Sequence, residues 1–233
     1  MNDSNDIIVE LENVKKIYRQ GKVDVPALRG LSLEIRKGEF TAICGPSGSG
    51  KTTILNLVGA LDVPTSGKVL VEGRDLGGLG RGALSRLRRD RIGFVFQAYN
   101  LVPVLSAYEN AELIMALQGV SAKRRRERVM GLLAEVGLEG MEHRRPDQLS
   151  GGQQQRVAIA RAIASDPAVV LADEPTANVD SETAEKLLGI MEQLNRERGV
   201  TFIFSTHDPK VMDRARRVVN LVDGQVESDE VRS

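Results

Sequence analysis

The segment Gly45-Pro46-Ser47-Gly48-Ser49-Gly50-Lys51-Thr52 constrains this chain more than any other. Its spacing, G-x-x-x-x-G-K-[ST], belongs to loops that wrap phosphate groups, the Walker A or P-loop pattern. Phe40-Thr41-Ala42-Ile43-Cys44 before it is a short apolar run that reads as a buried strand. Thr52 to Leu61 after it reads as a helix, with Ile54, Leu55, Leu57 and Val58 on its apolar side. Glycines let such a loop fold tightly, so that successive N–H groups converge on phosphate oxygens, and the helix N-terminus adds partial positive charge. The candidate phosphate contacts are therefore Gly45, Pro46, Ser47, Gly48, Ser49, Gly50, Lys51, Thr52 and Thr53. In this geometry Lys51 reaches the β- and γ-phosphates of a nucleoside triphosphate, and the Thr52 hydroxyl is a candidate Mg²⁺ ligand. The bland alternative is a glycine-rich turn that matches by accident. The strand before it and the helix after it argue against that.

Downstream, Ala168-Val169-Val170-Leu171-Ala172 is a second apolar run, of the kind that suits a parallel strand buried on both faces. Asp173 stands at its C-terminal end, where open α/β sheets place their ligands, and is the candidate Mg²⁺-shell carboxylate. Glu174 follows and is the candidate general base. Alone, the pair would read as solvated acids at a strand end; with the cradle upstream, it reads as a Walker B site. Leu149-Ser150-Gly151-Gly152-Gln153 opens another helix. Ser150 can cap it, and the two glycines allow close backbone approach to an anion.

The order of these segments resembles the ATPase subunit of an ATP-binding-cassette (ABC) transporter, over nearly the whole chain. Leu149 to Gln153 match that family's signature motif, with Ser150, Gly151, Gly152 and Gln153 implied as nucleotide contacts. Gln97, after Ile92-Gly93-Phe94-Val95-Phe96, matches the Q-loop glutamine, implied to touch both Mg²⁺ and the attacking water. Ala177-Asn178-Val179-Asp180 match the D-loop, and His207, after the strand through Phe202-Ile203-Phe204, matches the switch histidine. Tyr18 stands where the family stacks an aromatic ring on adenine; the alternative is a partly buried strand-end tyrosine. A narrower resemblance joins Phe96-Gln97-Ala98-Tyr99-Asn100-Leu101-Val102-Pro103 and Ala60-Leu61-Asp62 with Pro64-Thr65-Ser66-Gly67 to the branch serving lipoprotein-release, macrolide-export and cell-division permeases.

The resemblance implies an α/β fold: a RecA-like P-loop NTPase core with an antiparallel β subdomain and an inserted α-helical subdomain. It places the core at 7–97 and 150–226, the helical part at about 98–149 and a polar tail at 227–233, in one ABC domain. It also implies ATP and Mg²⁺ bound between two copies of the chain, with Ser150 and Gly152 of one copy closing on the γ-phosphate held by the other. A membrane permease is the expected second partner, contacted near Gln97. No apolar run approaches the length of a membrane span and no signal peptide is visible, so the expected location is peripheral, on the cytoplasmic face of the membrane.

Composition agrees. A chain of 233 residues can bury one substantial α/β core plus a small subdomain. Lys+Arg and Asp+Glu stand at 32 each, so no global field favours nucleic acid. The run Lys123-Arg124-Arg125-Arg126 reads as the solvated start of a helix capped by Ser121, with Val129, Leu132, Leu133 and Val136 on its apolar side. Cys44, the one cysteine, reads as inert packing in a buried strand.

Ile7-Ile8-Val9-Glu10-Leu11, Leu31-Ser32-Leu33-Glu34-Ile35 and Gly67-Lys68-Val69-Leu70-Val71 suggest an antiparallel sheet. Ser106-x-x-Glu109 is a capping box whose helix Gly119 ends, Ser181 opens a helix closed by Gly199, and Asp223-Gly224 is a hairpin turn. Gly77-Gly78-Leu79-Gly80 reads as a flexible loop, and the stretch after Val226 as a frayed tail. A translation-type ABC protein would carry two cassettes, and a chromosome-type ATPase a long coiled coil between Gln97 and Leu149; neither fits. A mechanotransmission ATPase that regulates an extracytoplasmic enzyme without transport remains the alternative function.

Overall fold

The apolar runs that flank the phosphate loop become neighbours in one sheet. The computed structural model describes residues 6–21 and 23–232. Strands β3 (Phe40–Cys44), β6 (Ile92–Phe96), β7 (Val169–Asp173), β8 (Phe202–Ser205), β9 (Arg217–Val222) and β10 (Gln225–Val231) form a six-stranded sheet in the order β10-β9-β3-β8-β7-β6. It is parallel except for β10, which pairs antiparallel with β9.

Continuous apolarity in these strands has a direct cause: both faces are covered. Along β7, Val170 and Ala172 point into one cluster with helices α5 (Gly151–Ala164) and α6 (Ser181–Arg198), while Val169 and Leu171 point into a second. Along β8, Phe202 and Phe204 join the first cluster and Ile203 the second. The second cluster is closed by α1 (Lys51–Val58) and by a four-stranded antiparallel sheet, β2-β1-β4-β5. Its strands are β1 (Ile7–Gln20), β2 (Val23–Arg36), β4 (Ser66–Val71) and β5 (Arg74–Asp75).

Between β6 and α5 lie α3 (Ala107–Leu117) and α4 (Ala122–Glu135), packed through Ala111, Met115, Val129, Leu132 and Leu133 against α5. The Ser106–Glu109 capping box forms in both directions.

Several expectations need correction. Ser233 lies outside the described residues, and up to Val231 the stretch after Val226 is no frayed tail. It is β10, whose acidic residues are held by backbone pairing and by Arg217, which bridges Asp229 and Glu39. The first two strands extend into a long hairpin rather than two short strands. Helix α1 stops at Val58, because Ala60 turns left-handed (φ +52°) and the Leu61 and Asp62 amides donate back to the Asn56 carbonyl. The segment 98–106 precedes α3 without forming helix, and the polar helix α2 (Arg81–Arg91) escaped the sequence reading. Ser121 occupies the N-cap position of α4 without a side-chain cap bond, and Asp180, not Ser181, caps α6. Arg125 is only partly exposed: it pairs with Glu112 at 2.7 Å and donates to the Val120 carbonyl.

Candidate active site

The C-terminal ends of β3, β6, β7 and β8 deliver the candidate residues to one edge of the sheet. A cleft of about 650 Å³ is lined there by Tyr18, by Gly45 to Gly48 and Gly50 to Thr53 of the loop, and by Gln97, Glu174, Ser205 and His207. Gly45 (φ +144°) lies so close to the Leu221 carbonyl that any Cβ would collide with it. Gly50 (φ +107°) is the N-cap of α1, so the helix starts facing the loop. The Lys51 ammonium donates to the Gly45 and Pro46 carbonyls at 2.7 and 3.0 Å. An ammonium has three donors, so it holds the loop closed with one N–H to spare. Ser49 is buried and its Oγ has no hydrogen-bond partner among the described residues.

Asp173 lies beside Ser205, Thr52, Glu174 and Lys51. Its Oδ1 is buried with no hydrogen-bond partner among the described residues, and burial pushes its pKa up. A carboxylate oxygen kept in that condition suits a cation shell. Among the described residues no cluster of three His, Cys, Asp or Glu side chains could hold a metal by itself. The donor set of one hydroxyl, one amide and one carboxylate fits Mg²⁺, which keeps waters and takes substrate phosphates as ligands.

Glu174 has a left-handed backbone (φ +45°), uncommon for a residue with a side chain. Its amide donates to the Ser205 carbonyl at 2.9 Å, and its carboxylate accepts from Thr206 Oγ1 at 3.3 Å and lies 2.7 Å from His207 Nδ1. Thr206 is fully buried and also accepts from the Asp208 amide. His207 is 76% exposed, so its ring faces the cleft mouth while touching Glu174.

Gln97 follows β6 directly. Its amide donates to Asn178 Oδ1 at 3.3 Å, and the Asn178 amide donates to the Gln97 carbonyl at 3.0 Å. The Tyr99 hydroxyl donates to the Asn178 carbonyl at 3.1 Å. Tyr99 and Asn100 are both left-handed, and Arg161 of α5 donates to both their carbonyls. Asn178, Tyr99, Thr206 and Ser205 complete the site, and none of them is a site residue in the sequence reading. Their contacts join residues distant in sequence, and nothing local announces them.

Ser150, Gly151, Gly152, Gln153 and Asp180 stand apart from this cleft: none of them lines it. Ser150 caps α5 by accepting from the Gln153 amide at 3.3 Å, while Gln153 Oε1 accepts from the Ser150 amide at 2.9 Å. The Ser150 hydroxyl hydrogen stays free to donate. A Cβ on Gly152 would collide with Thr183, which Asp180 binds at the start of α6. Cys44 is buried, and burial raises its thiol pKa to about 11, so it is an inert packing group.

Comparison with known proteins follows the same lines. A protein-family profile described as ABC transporter matches residues 28–177. The lipoprotein-releasing system ATP-binding protein LolD of Anaeromyxobacter dehalogenans is 50% identical over 222 residues, covering 95% of this chain and 93% of its own length. The macrolide export ATP-binding/permease protein MacB of Syntrophobacter fumaroxidans is 48% identical over 224 residues; the match covers 95% of this chain but 31% of that larger protein. Among solved structures, the dimeric post-hydrolysis state of the ATP-binding cassette MJ0796 bound to ADP and Pi superposes with a TM-score of 0.89 at 45% identity, covering 97% of this chain and 99% of that one.

Proposed function

The chain belongs to the ABC transporter family as an ATP-binding subunit, and from that premise we propose that two copies close head-to-tail around two MgATP to drive a membrane permease of the lipoprotein-release or macrolide-export type. One observation carries the head-to-tail arrangement. The signature residues Ser150 to Gln153 lie outside the cleft that holds Lys51 and Glu174. A second copy can bring them there.

In this reading the loop amides from Gly45 to Thr53 and the Lys51 ammonium hold the β- and γ-phosphates, and adenine lies on Tyr18. Mg²⁺, held through Thr52 and Gln97 with Asp173 behind them, would neutralise charge on the phosphate oxygens. The Ser150 hydroxyl and Gly152 amide of the partner copy close on the γ-phosphate, and Asp180 lies at the same seam. Glu174 takes the proton of the attacking water, with Gln97 and His207 orienting that water in line. His207 is already in contact with the base it would assist.

Permease docking is supported beside Gln97. An apolar groove of about 530 Å³ lies there between β6, α2 and α3, with Phe94, Phe96, Leu113 and Leu117 on its walls and Arg86 and Arg89 at its lining. Arg161 and Asn100 also line it, so a body seated in the groove would press on the segment that carries Gln97. No helix of the described residues is long and apolar enough to cross a membrane. In this reading the chain reaches the cytoplasmic face of the membrane through the permease.

The test uses Glu174→Gln, which keeps the shape of the base but cannot accept a proton. Turnover should fall at least about a hundredfold while ATP binding persists, and size-exclusion with MgATP should give a dimer that the nucleotide-free protein lacks. A monomer at saturating ATP would overturn the head-to-tail arrangement.

A further inference from the structure

Along β1 the side chains alternate. Lys15, Ile17 and Arg19 are exposed, while Val14, Lys16 and Tyr18 turn inward. A lysine in the inward phase is costly unless its charge is met. Lys16 is only 9% exposed, and its ammonium donates to Asp62 Oδ1 at 2.7 Å and to the Val63 carbonyl at 2.8 Å. It also sits over the Tyr18 ring, 4.9 Å from the centroid. The other carboxylate oxygen, Asp62 Oδ2, accepts from the Tyr18 hydroxyl at 3.0 Å.

We infer that Lys16 and Asp62 are positioning residues for the nucleotide base, because together they fix the Tyr18 ring on which it stacks. The inference rests on the ATP reading and deepens it. Asp62 follows α1, whose first turn carries Lys51 and Thr52. The tether therefore ties a ring on the hairpin to the helix that carries the phosphate loop. Base platform and phosphate cradle keep one separation and one tilt before ligand arrives, which lowers the ordering cost of binding. The ammonium covers one ring face and leaves a single face for a base. Burial works to raise the Asp62 pKa, but the bonds from Lys16, the Val63 amide and Tyr18 outweigh it and leave it lowered; burial also raises that of Tyr18. At neutral pH the carboxylate is thus ionised and the phenol still a donor.

Two ligands separate positioning from simple propping of the fold: MgATP, and Mg-tripolyphosphate, which has phosphates and no base. In the full chain, Asp62→Asn and Tyr18→Phe should each weaken ATP by about threefold to tenfold, the equivalent of one ordinary hydrogen bond. The loss should appear in KM rather than kcat, with tripolyphosphate affinity unmoved. Because both variants act on the one Tyr18–Asp62 bond, the double variant should be no worse than the weaker-binding single one. Equal weakening of both ligands would reduce the cluster to a structural ion pair and overturn the inference, as would unchanged ATP affinity in the conservative Tyr18→Phe variant. Wild-type protein that binds neither ligand would instead overturn the nucleotide reading beneath it.

Discussion

Replacing Asp173 by asparagine should make the bare protein more stable and the MgATP-bound protein less so. Asp173 Oδ1 is buried and without a hydrogen-bond partner among the described residues, with the charge of Glu174 close by and that of Lys51 offsetting part of it. Leaving a buried acceptor unsatisfied costs about 1–3 kcal/mol, and more when it is charged. An amide of the same shape removes the charge and still meets the Ser205 hydroxyl beside it. A gain of about 1 kcal/mol moves the melting temperature of a chain this size by roughly 2–4 °C. Ligand reverses the order. Wild type gains about 2.7 kcal/mol from MgATP at a hundred times its Kd, while the variant, with a weaker cation shell, gains less. Thermal unfolding at pH 7 with and without MgATP reads both halves. A bare variant that melts lower than wild type would show that the carboxylate is satisfied in the fold. An equal gain on adding MgATP would remove Asp173 from the metal site.

Mixing Lys51→Ala with Ser150→Arg gives a second check on the dimer: each alone should fail to associate with ATP, whereas the mixed pair retains one intact site and should show partial association by size-exclusion. No association at any ratio, with both variants folded, would count against a signature acting across the interface. On acid stability, the hydrogen bonds from Arg91 hold Glu72 below the ordinary value of 4.5. A carboxylate with a lowered folded pKa adds stability above the ordinary value and loses it as pH falls through the folded one. Both groups are partly exposed, so the effect is below about 1 kcal/mol; Glu72→Gln should lower the melting temperature at pH 7 by an amount that shrinks as pH falls through the acid range, and a constant deficit across that range would show that charge is not the cause.

What could be read from the sequence was what is local. The cradle is one contiguous segment, the Ser106–Glu109 box spans one helical turn, and Asp223-Gly224 forms a turn with both residues at positive φ. Buried parallel strands announce themselves because both faces are covered, so no polar residue interrupts Val169 to Ala172. The outer half of the β1–β2 hairpin was invisible for the opposite reason: residues 23–26 of β2 are all exposed, and backbone pairing, not apolar alternation, holds them. Helix α2 buries only Leu87, and β10 is held by pairing with β9 and by polar contacts of Asp229 with Arg217 and Ser228 with Asn220 rather than by an apolar run. The Gln97–Asn178 and Lys16–Asp62 pairs join residues far apart in the chain, and no periodicity encodes such pairings.

Backbone strain was equally hidden, and it bears on how the site works. Glu174, Tyr99 and Asn100 adopt left-handed conformations that cost roughly 1–3 kcal/mol each in residues with side chains. Each is held in place. Arg161 grips the Tyr99 and Asn100 carbonyls, and Ser205, Thr206 and His207 grip Glu174. Asn178 then joins the Gln97 segment to the loop after Glu174. The two loops that would orient water and accept its proton are therefore one braced unit in the single chain. Rearrangement within that unit would first have to break several bonds. Closure of the proposed site instead needs a signature helix start from elsewhere, since Ser150 and Gly152 lie off the cleft. Under that arrangement, the freedom left to the system is the approach of the second copy. Nucleotide would act by making that approach favourable, and hydrolysis by removing the contact that made it so.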